Sequence, residues 1–312
     1  MNTILITGGT GLIGTAITKS LLEKNYNVIV LTRNKDKITP LASVNLSYAE
    51  WNIAEQTIDS SAITKSDFII HLAGAGVADK RWTLKRKKEI LESRTQSSSL
   101  LVKALKENTN NVKAVISASG IGWYGRALPG DKGSDKYPFI ETDPAAEDFL
   151  GTTCKEWEAS IDPVTSLGKR LVKFRTGIVL SEQGGALKEF KKPLRFGIAA
   201  IMGNGKQTMS WIHIDDLARL YVYAIENERL SGVYNAVAPQ TLTNKKFTLQ
   251  LARSVRGRFF VPIFVPSFVL KLVVGELSIE VLKSAAVSCE KIKKEGYTFL
   301  YPSIIAALHH LK

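Results

Sequence analysis

Thr3-Ile-Leu-Ile-Thr-Gly-Gly-Thr-Gly-Leu-Ile-Gly14 decides the fold. The run Thr3 to Thr7 is β-branched and apolar, the composition of a strand buried on both faces. It breaks at Gly8-Gly9 and resumes at Leu12 with helical spacing that continues to about Asn25. Gly9, Gly11 and Gly14 satisfy G-x-G-x-x-G, and Gly8, Gly11 and Gly14 satisfy the looser G-x-x-G-x-x-G. Glycines at these places allow a sharp turn, let backbone N–H groups approach a pyrophosphate and let helix pack close on strand. The positive end of the helix then faces the diphosphate. An ordinary strand-to-helix turn is the plainer reading, and the flanking strand and helix are the context that favours nucleotide binding over it. The residues expected at that ligand are Thr7, Gly8, Gly11, Leu12, Ile13 and Gly14.

Working outward, Asn27 to Leu31 reads as a second strand and completes a β-α-β unit, whose right-handed crossover requires parallel strands. Where dinucleotide folds place an Asp or Glu for the adenosine ribose, this chain reads Leu31-Thr32-Arg33-Asn34. An arginine there suits a 2′-phosphate, so NADP(H) is favoured over NAD(H); a solvated loop charge is the alternative. Leu46 to Trp51 is a short third strand. Asp67-Phe-Ile-Ile-His-Leu-Ala-Gly74 is a clearer one, and Leu72, Ala73 and Gly74 are expected to pass close to the cofactor. Helical periodicity runs from about Thr83 to Glu107, and Val112 to Ser117 is another buried strand. This alternation predicts an α/β fold, a Rossmann-type doubly wound parallel sheet.

Between Trp123 and Glu147 the pattern dissolves into Gly, Pro, Asp and Lys, as functional loops at a sheet edge do. A helix from about Asp148 to Leu167 and a strand from Leu171 to Arg175 follow. The expected organisation is a nucleotide-binding domain over residues 1–180, to which about 205–240 return. A smaller, mixed and mostly helical lobe covers 181–312, with a helical module at about 250–312. From Thr243 onward the reading is mostly helix, punctuated by Pro262, Pro266 and Pro302.

Apolar content of 45% and charged content of 23% over 312 residues are ordinary for a globular protein. The formal charge of +13 is scattered apart from Lys85 to Lys88 and Lys291 to Lys294. Attraction of anionic phosphates to the site explains it more cheaply than nucleic acid, so no nucleic-acid partner is expected. Two cysteines imply neither a disulfide framework nor a metal cluster. The first strand begins two residues after Met1, and the apolar stretch Phe259 to Gly275 is broken by Pro262, Pro266 and Lys271. Neither a targeting peptide nor a membrane span is expected, which points to the cytoplasm.

Further stretches carry a family resemblance. They are His71-Leu-Ala-Gly74, Arg81-Trp82 with Ser93-Arg94, Ser117-Ala-Ser119 with Tyr124-Gly125, and Arg175-Thr-Gly-Ile-Val-Leu180. Gly203-Asn-Gly205, Ser210-Trp-Ile-His-Ile-Asp-Asp216, Tyr234-Asn235, Ala238-Pro239 and Gly296-Tyr-Thr-Phe-Leu-Tyr-Pro302 continue it. With the glycine loop they resemble the extended short-chain dehydrogenases/reductases of the NAD-dependent epimerase/dehydratase type. The narrower match is the atypical branch once labelled as cell-division-inhibitor homologues, with its C-terminal helical module. The resemblance implies hydride transfer at a carbonyl or hydroxyl carbon of a small-molecule substrate, and a homodimer paired through the helices around the active-site segment.

That chemistry uses an acid/base, in the superfamily a Tyr with a Lys four residues on. The corresponding helix reads Asp148-Phe-Leu-Gly-Thr-Thr-Cys-Lys-Glu-Trp-Glu158, without tyrosine. Aligned on Glu158, Leu150 and Cys154 take the two places, and Lys155 is rotated by roughly 100° from the second. A non-catalytic, cofactor-binding regulator or scaffold is therefore the alternative to an oxidoreductase. Ser119, ahead of Ser117, matches the superfamily's substrate-orienting serine, and Tyr124 is a further candidate if its phenol reaches the cleft. Cys154 fits burial as a small apolar residue better than a nucleophile. His71 and His213 read as structural. Arg81, Trp82 and Arg94 belong to the part that sets the branch apart. The arginines suit a carboxylate or phosphate of the substrate and Trp82 a ring, or the charges face water and Trp82 fills the core.

Overall fold

β1 (Thr3–Thr7) lies inside an eight-stranded sheet, between β2 (Asn27–Thr32) and β5 (Phe68–His71), parallel to both. This computed structural model describes residues 1–34, 43–127 and 130–311; of the expected loop 123–147, residues 128 and 129 lie outside them. Beyond β2 come β3 (Leu46–Asn52) and the short antiparallel β4 (Thr57–Ile58). Beyond β5 come β6 (Ala114–Gly120), β7 (Arg170–Thr176) and β13 (Gly232–Ala236), all parallel. Strand order therefore reverses at β1, and a crevice opens at the carboxyl ends of β1 and β5, where such sheets bind ligands.

The period of two in β1 divides the core. Ile4 and Ile6 face Ile17 and Leu21 of α1 (Leu12–Glu23) and Leu217 and Tyr221 of α6 (Ile214–Glu226). Leu5 faces the other side, with Ala62 of α2 (Ser60–Thr64), Leu100 and Leu101 of α3 (Leu84–Glu107), and Ile161 of α4 (Phe149–Ile161). With helices on both faces, the strands read as continuous apolar runs. The helix expected to reach Leu167 ends at Ile161, and Pro163 continues it as a tighter turn over Asp162–Leu167.

A third core, including Leu187, Trp211, Phe247, Leu251 and Leu308, builds a lobe over the crevice. One small sheet joins β8 (Ile178–Ser181), β9 (Gly184–Gly185) and β12 (Trp211–His213). Two strand pairs accompany it: β10 (Ile198–Met202) with β15 (Val261–Val265), and β11 (Thr208–Met209) with β14 (Leu242–Thr243). The helices are α5 (Ala186–Leu194), α7 (Asn244–Arg256), α8 (Ser267–Val274), α9 (Ser278–Val281) and α11 (Ile304–His310); α10 (Glu290–Lys294) instead packs Ile292 into the core that holds α1 and α6. β15 departs from the mostly helical reading of this region. Its β-branched residues favour a strand, and a two-stranded pair leaves an open edge where Pro262 needs no donor.

The C-terminal segment is fastened to the start of α6. The fully buried Asp216 carboxylate accepts from the backbone N–H of Leu300 at 2.7 Å and of Tyr301 at 2.9 Å, and the Tyr297 hydroxyl donates to the Asp216 carbonyl at 2.6 Å. His213 Nδ1 accepts from Asp215 N at 3.0 Å, so its proton is assigned to Nε2, 3.2 Å from Nδ1 of His310. These are structural contacts. Among the described residues, no helix is long and apolar enough to cross a membrane.

Candidate functional site

The crevice encloses about 2560 Å³, several times the roughly 300–1,000 Å³ of a pocket for one drug-sized ligand. Gly8, Gly11, Leu12, Ile13, Gly14, Arg33, Leu72, Ala73 and Gly74 all line it, brought together from the carboxyl ends of β1, β2 and β5. Gly8 takes a φ of +69°, and a Cβ there would press on the Leu72–Ala73 peptide at 3.1 Å. A Cβ on Gly14 would overlap the Gly8 carbonyl oxygen. These two glycines hold the loop, the neighbouring strand end and α1 at one junction. Gly11 caps α1 without a side-chain hydrogen bond, and no acid sits in the first turn, so the helix start keeps free N–H donors and its positive end.

Thr7 does not line the crevice; it fixes what does. Its Oγ1 accepts from the backbone N–H of Leu72 at 3.1 Å and of Ala73 at 3.2 Å, so its proton points at His71 Nδ1, 2.8 Å away. His71 then carries its own proton on Nε2 and donates to Ser98 Oγ at 3.1 Å, and Ser98 donates to the Arg94 carbonyl at 2.9 Å. Burial pulls His71 down to about 3 and His213 down to about 4, so both are neutral in the folded chain at pH 7. Unfolding lets each take a proton below its ordinary pKa of 6.5. Their stabilisation is therefore complete above about pH 6.5 and is lost as the pH falls towards the folded values. The expected loss is roughly 2 kcal/mol per histidine between pH 6.5 and 5. Thermal melts should show a lower midpoint at pH 5 than at pH 7.5, with a flatter pH profile for His71→Gln; equal midpoints in the parent chain would refute this.

At the end of β6, Ser119 lines the crevice and donates to Glu158 Oε1 at 2.7 Å. Glu158 also receives Arg175 Nε at 2.8 Å and its second terminal nitrogen at 3.1 Å. The Arg175 guanidinium lies 3.5 Å from the centroid of the Trp123 ring and donates to the Tyr124 hydroxyl at 3.2 Å. Ser119, Glu158 and Arg175 are thus one buried network, with Glu158 4% and Arg175 2% exposed. With its proton on Glu158, Ser119 offers the crevice lone pairs. Leu150 and Cys154 share the crevice-facing side of α4 with Glu158, each four residues from the next. Atoms of both stand within 3.6 Å of a Cβ built on Gly122. Lys155 points to solvent. Burial and the neighbouring Glu158 push the Cys154 thiol up to about 11, which keeps it protonated and a poor nucleophile at pH 7.

Besides Thr7, three expected site residues are not brought into the crevice wall. Tyr124 is fully buried, stacked on Phe139 at 5.0 Å and donating to Asn235 Oδ1 at 2.7 Å, so its phenol cannot reach a ligand in the cleft. Trp82 turns inward, its Nε1 donating to the Val77 carbonyl at 2.8 Å and its ring edge-on to Phe149 at 4.8 Å; it fills the core. The Arg81 guanidinium packs on Gly275 outside the wall. Arg94 does line the crevice, yet it is 9% exposed, bonded to the carbonyls of Ala75 and Ile90 and stacked on Trp157 at 4.8 Å. Glu158 and Arg175 were not read as site residues. The repeat of Leu150, Cys154 and Glu158 on one helix face was the available signal.

The chain matches the profile of the NAD dependent epimerase/dehydratase family over residues 4–146 and 188–236. It belongs to that family. Residues 265–311 match a domain of unknown function that forms the C-terminal part. An epimerase family protein of Staphylococcus aureus (strain MRSA252) is 33% identical over 311 residues, covering 100% of this chain and 99% of the relative. The crystal structure of the human epimerase family protein SDR39U1 with NADPH superposes with a TM-score of 0.84 at 30% identity, covering 99% of this chain and 98% of that one. A nucleoside-diphosphate sugar epimerase from Corynebacterium glutamicum superposes at 0.76 with 28% identity, covering 99% of this chain and 58% of that one. The epimerase/dehydratase fold and its nucleotide-binding crevice are therefore those of this chain.

Proposed function

We propose that this family member is an NADP(H)-dependent, epimerase-like oxidoreductase acting on a small molecule. The carrying observation is the junction of Gly8, Gly14 and the uncapped start of α1, with Arg33 exposed on the same crevice wall at the end of β2. The loop amides suit a diphosphate, and Arg33 suits the adenosine 2′-phosphate where a carboxylate would suit a free hydroxyl. When bound, the nicotinamide supplies or accepts hydride at a carbon bearing oxygen. Ser119 orients that oxygen, accepting from a hydroxyl while its own proton rests on Glu158, or turning that proton from Glu158 to a carbonyl. In this reading residues 1–180, with the return of about 205–240, hold the cofactor, and the lobe faces the substrate.

The second reading, a cofactor-binding regulator or scaffold without turnover, is favoured by Leu150 and Cys154 standing where the superfamily's Tyr and Lys would. Oxidation of NADPH across a panel of carbonyl compounds separates the two: turnover lost in Ser119→Ala supports the enzyme, and none across the panel supports the regulator. Calorimetry tests the cofactor directly. Arg33→Asp should weaken NADPH at least about tenfold, the scale of one charge-assisted contact, and leave NADH nearly unchanged. Equal losses for both would remove the preference for the 2′-phosphate.

A further inference from the structure

The two walls of the crevice differ in kind. Among the described residues that line it, the cations cluster on the side of β5 and α3: Lys80, Lys85, Arg86, Lys88 and Arg94, interleaved with Asp79, Glu89 and Glu92, and Arg33 lies beyond them. The lobe wall carries three charged side chains, Glu189, Glu280 and Lys283. Lys283 is already held by Asp148 at 2.8 Å and by Glu280 at 3.4 Å. No unengaged cation therefore faces a ligand from this side among the described residues; Glu280 is paired with Lys283 and Glu189 with Lys192, so this wall offers no free positive charge to a diphosphate.

What the lobe offers instead is aliphatic. Met202 of β10, Val265 of β15, Leu270, Val273 and Val274 of α8, and Leu277 just beyond it all line the crevice. In α8 only Leu270 is buried. Val273 is 66% exposed although it lines the cleft, so the apolar wall runs from the interior out to the mouth. Left against water this surface gains nothing; a ligand with an apolar body would bury it at about 25 cal/mol per Å².

We propose that the substrate is a ketone or alcohol with an apolar body, laid along β10, β15 and α8 with its oxygen towards Ser119, and not a nucleotide sugar. This rests on the reading above that the oxygen-bearing carbon meets the dinucleotide beside Ser119. It assigns the lobe wall to alkyl or aromatic surface and leaves the glycine loop and Arg33 to the cofactor's phosphates.

The test is calorimetric, on the full chain loaded with NADP+, which has no hydride to give a ketone. A methyl ketone series from pentanone to undecanone should bind with affinity rising about two- to fourfold per added methylene until the wall is filled. UDP-glucose should bind more weakly than undecanone. Val273→Asp, a change at an exposed position that should leave the fold intact, is expected to weaken undecanone at least about tenfold while NADP+ binds as before. An affinity flat along the series, tighter binding of UDP-glucose, or an unchanged undecanone affinity in Val273→Asp would each overturn the proposal. If NADP+ itself gives no binding heat, the cofactor reading fails instead, and the ketone series on the unloaded chain still decides the nature of the lobe wall.

Discussion

Glu158→Ala is expected to lower the unfolding free energy by about 3–5 kcal/mol, because it leaves the Arg175 guanidinium buried without its counter-charge. Arg175 keeps the Glu141 carbonyl at 3.1 Å and the Tyr124 hydroxyl, but neither is an anion at neutral pH. Lys173 also loses a carboxylate neighbour at 3.7 Å, and Ser119 loses its acceptor. The double replacement Glu158→Leu with Arg175→Met should recover most of the loss, since buried ion pairs exchanged for apolar residues of similar volume are often neutral or stabilising. Urea unfolding of the singles and the double gives the coupling directly. A loss under about 1 kcal/mol for Glu158→Ala would mean that water reaches the pair and that the network does not hold the end of β6.

Gly14→Ala and Gly11→Ala should separate fold from ligand within one loop. A methyl at Gly14 overlaps the Gly8 carbonyl and crowds Gly9, so α1 must lift from β1. Overpacking of this kind costs about 1–3 kcal/mol, and the displaced amides should weaken NADPH about a hundredfold, equivalent to roughly 2.8 kcal/mol. A methyl at Gly11 meets only the Gly8 oxygen at 3.4 Å, and its backbone angles suit any residue. Gly11→Ala should therefore keep the parent melting temperature and still weaken NADPH about tenfold, because the methyl stands at the cleft-facing start of the helix. Parent-like affinity in Gly11→Ala would take the diphosphate away from this loop.

The contrast between those two glycines marks how far sequence reading reaches. The sheet was legible because a strand buried on both faces writes itself as an unbroken apolar run rich in β-branched residues, and Ile4 to Ile6, Val28 to Leu31 and Phe68 to Ile70 all do so. The glycine loop was legible because its contacts lie within a few residues. The partners of Ser119 were not: Glu158 is 39 positions away, and Arg175 reaches the same carboxylate from another strand. Nothing local distinguishes a tyrosine aimed at Asn235 from one aimed at a cleft, so Tyr124 was read as a possible catalyst. The run around Val261 looked like interrupted helix because the partner that makes it a strand, β10, precedes it by some sixty residues.

The clasp at Asp216 sets the order in which the chain becomes competent. Domains emerge from the ribosome amino end first, at about 5–20 residues per second, and β1, α1, β2 and β5 can assemble while the rest is still being made. The N–H groups of Leu300 and Tyr301 that close on Asp216, and the His310 that meets His213, come more than eighty positions after their partners. Until they arrive, the carboxylate at the start of α6 has no donors from that segment, and the lobe core lacks Ile304, Ala307 and Leu308. A nascent chain of this protein thus has its glycine loop before the core of its lobe is complete.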